Sequence, residues 1–133
     1  MSAKDMERAE AQARAQLNSI LEDMKELYGF EEQDEDDEAD AKREEILEGG
    51  ALSAEIRSDW MPVGGDPMGW TYRLLLCWGG PSVQLTGELD EHFQPISAVV
   101  QYQDWFTGWA DLPMEEEEQE AAVEWASLFY WGE

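Results

Sequence analysis

WTYRLLLCWGGPSVQLTGELDEHFQPISAVVQYQDW, residues 70–105, decides the fold. Leu74, Leu75, Leu76, Cys77 and Trp78 are apolar at successive positions, as in a central strand covered on both faces, and Gly79, Gly80 and Pro81 then turn the chain. SVQLTGELD alternates, with Val83, Leu85 and Leu89 on one side and Gln84, Thr86 and Glu88 on the other. DEHFQP is a second turn. ISAVVQYQDW makes a further strand, in which Ala98, Val100 and Tyr102 share one face and Val99, Gln101 and Gln103 the other. Connections this short join neighbouring strands antiparallel, which predicts a meander.

Upstream, Leu52, Ala54, Ile56 and Trp60 alternate with Ser53, Glu55, Arg57 and Asp59, the pattern of one more half-buried strand before the loop MPVGGDPMG. The amino-terminal segment has a helical period instead. Met6, Ala9, Ala13, Leu17, Ile20, Leu21, Met24 and Leu27 fall on one stripe, with a capping box at Ser2 and Asp5 and a stop at Gly29. Its alanine-rich front half predicts docking by the second half only. Residues 31–40, EEQDEDDEAD, form a loop or the solvated start of a short second helix that Gly49 and Gly50 end. At the other terminus, Pro113 and four glutamates favour a helix start, and Ala122, Trp125, Ala126 and Phe129 supply its buried stripe. The expected architecture is α+β in a single domain, 1–133: a helix over 1–29, an acidic loop or short helix over 30–50, a four-stranded antiparallel meander over 51–112, and a carboxyl-terminal helix over 113–133.

Charge separates this chain from an ordinary α+β domain. The net charge is -24 in 133 residues, and no lysine or arginine follows Arg73, whereas twelve Asp and Glu do. Yet 43% of the residues are hydrophobic, including seven Trp, four Tyr and four Phe, more aromatic surface than a merely solvating polyanion contains. The composition therefore predicts an aromatic core in an acidic coat. Such a coat disfavours direct binding of nucleic acid or anionic lipid and favours a basic partner. The lone Cys77 suits a reducing cytoplasm, and the polar start MSAKDMERAE has no apolar signal core.

Catalytic chemistry finds little to build on. His92, the sole histidine, lies in a predicted turn remote from Cys77, so no nucleophile and base pair is expected. DEDDEAD lacks the central glycine and terminal bidentate acid of a calcium loop, and one His with one Cys cannot complete a zinc site. No glycine-rich phosphate cradle precedes a helix. The expectation is a protein that is not an enzyme and holds no cofactor or metal.

The acids themselves are the better candidate. Duplex DNA carries one negative charge per ≈1.7 Å of axis, and a helical run over residues 31–40 would place eight carboxylates in roughly 15 Å, about one per 2 Å. Glu31, Glu32, Asp34, Glu35, Asp36, Asp37, Glu38 and Asp40 are the first candidate contacts, and Glu115, Glu116, Glu117 and Glu118 form a second patch. Acidic runs also serve as solvated linkers. Here they are spread over several elements instead of forming one tail. Trp105, Phe106 and Trp109 crowd one loop, and Trp131 lies beside the carboxyl end; these rings either cap the core or, as with Trp105 and Trp109 among the candidate contacts, anchor a partner inside a charged rim.

Residues 73–109 resemble a group of small phage, prophage and mobile-element proteins with the pattern LLCxGGPxxxxxGELDxxxxPxxxxxxYQDWxTxW. Leu75, Leu76, Cys77, Gly79, Gly80, Pro81, Gly87, Glu88, Leu89, Asp90, Pro95, Tyr102, Gln103, Asp104, Trp105, Thr107 and Trp109 carry it. The resemblance implies a phage origin, and small acidic phage proteins include inhibitors of host defence, some of which imitate DNA. The resulting expectation is an anti-CRISPR protein whose partner is a basic nucleic-acid-binding protein or ribonucleoprotein complex of the bacterial host. Antirestriction, inhibition of a DNA-repair enzyme, and a chaperone-like role toward a basic virion protein are the alternatives.

Overall fold

The computed structural model describes residues 3–58, 63–64, 69–79, 81–104 and 108–131, with side chains from Met6 onward. Trp60, Trp105, Phe106, Thr107 and the Ser2 cap lie outside the described residues. The elements are α1 (Ala3–Glu32), α2 (Asp36–Gly49), β1 (Ser53–Ser58), β2 (Trp70–Cys77), β3 (Ser82–Leu89), β4 (Val99–Gln103), β5 (Ala110–Asp111) and α3 (Glu116–Ser127). The class is α+β. All strand pairs are antiparallel and the spatial order β1-β2-β3-β4-β5 follows the chain, a meander. Among the described residues it has five strands where the sequence pattern predicts four. The fifth is a two-residue pairing of Ala110 and Asp111 with Tyr102 and Gln101, too short to register as alternation.

One face of the sheet carries the core. Tyr72, Leu74 and Leu76 of β2, Val83, Leu85 and Leu89 of β3, and Val100 and Tyr102 of β4 are buried under the helices. α1 lies on β3 and β4, and α2 and α3 pack alongside α1. Its buried stripe is Ala9, Ala13, Leu17, Ile20, Met24 and Leu27, so the front half docks as firmly as the rear. The alanines are not a weak end. Their single methyl groups let the helix axis come close to its neighbours where leucine would hold it off.

Two other expectations change, and the place of Trp131, left open by the sequence, is decided. α1 runs through Gly29 and stops at a Schellman motif: Glu35 N–H donates to Phe30 O at 2.9 Å, Asp34 N–H donates to Glu31 O at 3.2 Å, and Asp34 takes the left-handed conformation (φ 55°). β1 is an exposed edge instead of a half-buried strand, because the helix layer sits over β3 and β4 and leaves Leu52, Ala54 and Ile56 uncovered. Trp131 is core: its Nε1 donates to Ala126 O at 2.9 Å and its ring lies 5.0 Å from that of Tyr72. Burying this ring closes the end of the helix layer.

Much of the quoted GELD and proline pattern is turn architecture. A side chain on Gly87 would run into the Ser97 carbonyl and the Tyr72 ring. Asp90 Oδ1 accepts from His92 N–H at 2.8 Å and Gln94 N–H at 2.9 Å; the Gln94 bond above all holds its carboxyl below the usual range. Tyr72 Oη donates to Ser97 O at 2.7 Å, tying the connection to β2.

Candidate partner-binding surface

The Schellman turn folds the acidic run around a corner, so residues 31–40 are not one continuous helix. Glu31 and Glu32 end α1, while Asp36, Asp37 and Glu38 form the first turn of α2, where the helix dipole favours them. Glu32, Asp34, Asp36, Asp37 and Glu38 are exposed and take part in no ion pair among the described residues. Glu35 is half-buried at the corner.

What makes this surface one-signed is where α2 sends its cations. Lys42 is buried in the α1–α2 seam, 2.7 Å from Glu26, 3.1 Å from Asp23 and 3.6 Å from Glu45. Desolvation pulls its pKa down, but the bonds to Glu26 and Asp23 outweigh it and the net shift is upward. Arg43 holds Glu31 and Asp40 at 2.7 and 2.8 Å. Glu31 and Asp40 thus share a single guanidinium, which offsets one of their two charges within the chain.

The buried stripe of α2 is Ala39, Lys42 and Ile46. At 100° per residue the opposite face carries Asp37, Glu44 and Glu48. Glu44 and Glu48 are exposed and lie outside the predicted set, although their spacing of seven and eleven from Asp37 points to them. Across Asp36–Gly49 seven acids occupy roughly 21 Å, about one per 3 Å. A single DNA strand carries one charge per 3.4 Å.

The second patch stands apart from the first. Glu118 is anchored, with Oε1 accepting from Glu115 N–H at 2.9 Å and Oε2 2.7 Å from Arg14; Glu115, Glu116 and Glu117 are exposed. Arg14 meets Glu118 and Asp23 meets Trp125, so α3 runs parallel to α1. Seventeen residues of α1 separate Arg14 from Glu31, roughly 26 Å. The structure does not bring the two acidic patches together.

Trp109 is half-buried on the open sheet face, beside a cavity of about 670 Å³ that Arg57, Thr71, Arg73, Gln84 and Gln101 also line. A polar row follows the strand register there. Gln84 Nε2 donates to Gln101 Oε1 at 2.7 Å, and Gln101 Nε2 to Asp111 Oδ1 at 2.8 Å, while the buried Gln84 Oε1 has no partner among the described residues. Trp78, which the sequence pattern places at the end of a strand covered on both faces, lies just past β2 and is 67% exposed, and Tyr130, beyond the end of α3, is 80% exposed.

Cys77 and His92 sit at opposite ends of β3, about 20 Å apart along the strand. Burial pushes the Cys77 thiol up, away from the reactive thiolate. Among the described residues no group of three His, Cys, Asp or Glu is placed to hold a metal ion, and no helix is long and apolar enough to cross a membrane. Comparison of the chain with protein-family models, with curated proteins and with solved structures returns no match.

Proposed function

We propose that this protein is a non-enzymatic inhibitor that presents carboxylates where phosphates would lie, and so occupies the cationic channel of a nucleic-acid-binding complex of its host. The carrying observation is the α1–α2 hairpin. It holds exposed acids at near the linear density of a nucleic-acid strand, and both cations of α2, Lys42 and Arg43, are turned into ion pairs with neighbouring acids. Order matters because a preformed array loses less conformational freedom on binding than a disordered tail would. An RNA-guided defence complex, which keeps its heteroduplex in a positively charged channel, is the partner class we favour, and an anti-CRISPR role is the corresponding function.

The test is capture of partners from a bacterial lysate followed by a challenge with excess duplex DNA. DNA is expected to displace the captured partner, and affinity to fall about 10³-fold or more between 50 and 200 mM salt if six or more charges are engaged. Combined reversal of Asp36→Lys, Asp37→Lys and Glu44→Lys is expected to weaken binding at least about a hundredfold, one factor of ten per 1.4 kcal/mol lost. Reversal at Arg8 is expected to leave it intact. Equal losses at the hairpin and at Arg8, or a bound partner that still admits its nucleic acid, would overturn the proposal.

A further inference from the structure

β1 is the one long strand edge that stays uncovered among the described residues. The opposite edge, β5, is two residues long and ends in Asp111. β1 instead keeps an unbroken register with β2 from Ser53 to Ser58, without proline or bulge, and Ala54 to Ser58 are all exposed. Such an edge offers a row of unpaired backbone N–H and C=O groups to a further strand, and proteins commonly block it with proline, a bulge or charge.

The charges on this edge do not block a copy of itself. SAEIRS is self-complementary about Ile56. Antiparallel pairing of two copies centred there sets Glu55 opposite the second copy's Arg57, Arg57 opposite its Glu55, and Ala54 opposite its Ser58. Register with β2 puts Glu55 and Arg57 on the open face with Arg73 and Thr71, and Ile56 on the helix side with Tyr72. The same pairing therefore lays one exposed Ile56 against the other. Within a chain Glu55 already holds Arg73 at 2.7 Å, whereas Arg57 has no ion-pair partner among the described residues. A second copy completes the row Arg73, Glu55, Arg57 with alternating sign. A shift of two residues in either direction destroys this match, placing Arg57 opposite Arg57 or Glu55 opposite Glu55.

We infer that β1 is a self-association edge: two copies join about a two-fold axis through Ile56 to make one continuous ten-stranded sheet. The interface is isologous, and it engages neither the acidic hairpin nor its proposed partner. Salt separates the two readings. Screening relieves repulsion between two chains of charge -24, so the dimer persists at salt that dissolves an electrostatic complex.

Sedimentation velocity of the full chain over a wide concentration range, at about 0.15 M and about 0.5 M salt, tests this. A monomer–dimer equilibrium is expected at both. Arg57→Glu, on an exposed side chain without an ion pair among the described residues, is expected to weaken dimerisation at least about tenfold while the circular dichroism spectrum stays unchanged. Ile56→Cys is expected to form an interchain disulfide on mild oxidation, because only residue 56 meets its own copy; Ser58→Cys is expected not to. A wild-type monomer at every concentration, an Arg57→Glu dimer as tight as wild type, or preferential crosslinking through Ser58→Cys would overturn the inference and leave the hairpin proposal standing.

Discussion

Asp34 serves two purposes at one position. It is an exposed carboxylate in the acidic run and the left-handed C′ residue that ends α1. Non-glycine residues pay about 1 kcal/mol for that conformation, Asp somewhat less than most. Asp34→Gly is therefore expected to stabilise the fold by about 0.5 kcal/mol in urea denaturation while lowering affinity for a basic partner. A loss of stability would mean that the carboxylate itself holds the corner. Lys42 is the converse case, a cation that composition counts as surface and the fold buries. Lys42→Met leaves Asp23 and Glu26 facing each other, and is expected to destabilise by about 2 kcal/mol, below the usual range for a fully buried pair because Glu26 and Glu45 are solvated. Because its pKa is raised on folding, its contribution is complete below the ordinary value of 10.5 and is lost as pH rises through the higher folded value. The wild-type minus Lys42→Met difference should stay flat from neutrality to about pH 10 and shrink above it, as read from denaturation midpoints. Asp34's role was illegible in sequence because glycine at position 29 offers the commoner stop signal. Lys42 was illegible because a lysine looks the same whether its ammonium faces water or a carboxylate seam.

Among the elements, α1 shows how far a period can be read. Every position of its predicted stripe that is now buried, from Ala9 to Leu27, follows from three-and-four spacing alone. What spacing could not give is how closely the helix approaches its neighbours, since alanine reads as weakly apolar whether it marks a frayed end or a tight contact. Ala13 is fully buried. Ala13→Leu is accordingly expected to destabilise by about 1–3 kcal/mol through overpacking, measured as a lower urea midpoint at unchanged m value. A stabilised variant would show that the front half is loosely docked. β1 makes the complementary point. Its alternation is that of a strand with one buried face, and the pairing with β2 is present, but alternation carries no information about whether a helix lies above.

For the whole molecule, one physical term has opposite consequences inside and outside. Self-repulsion at net charge -24 weakens the compact state, so Tm is expected to rise by several degrees between about 0.01 M and about 0.5 M salt, as the screening length falls from about 30 Å to a few Å. Calorimetry checks this, and an unchanged Tm would mean that the acids are already compensated. Partner binding through the hairpin should move the other way over the same range. The sequence by itself determined the α+β class, the antiparallel order of the strands, the helical stripes and the excess of acid, because each depends on residue type and on a local period. Only the tertiary structure decided that the acidic run turns a corner, that the cations of α2 pair with acids around it, that the two acidic patches stand roughly 26 Å apart along α1, and that β1 is left bare among the described residues. Those outcomes depend on which surfaces meet across the fold, and a helix of given composition can bury its lysine or its edge strand only once a neighbour has been placed beside it.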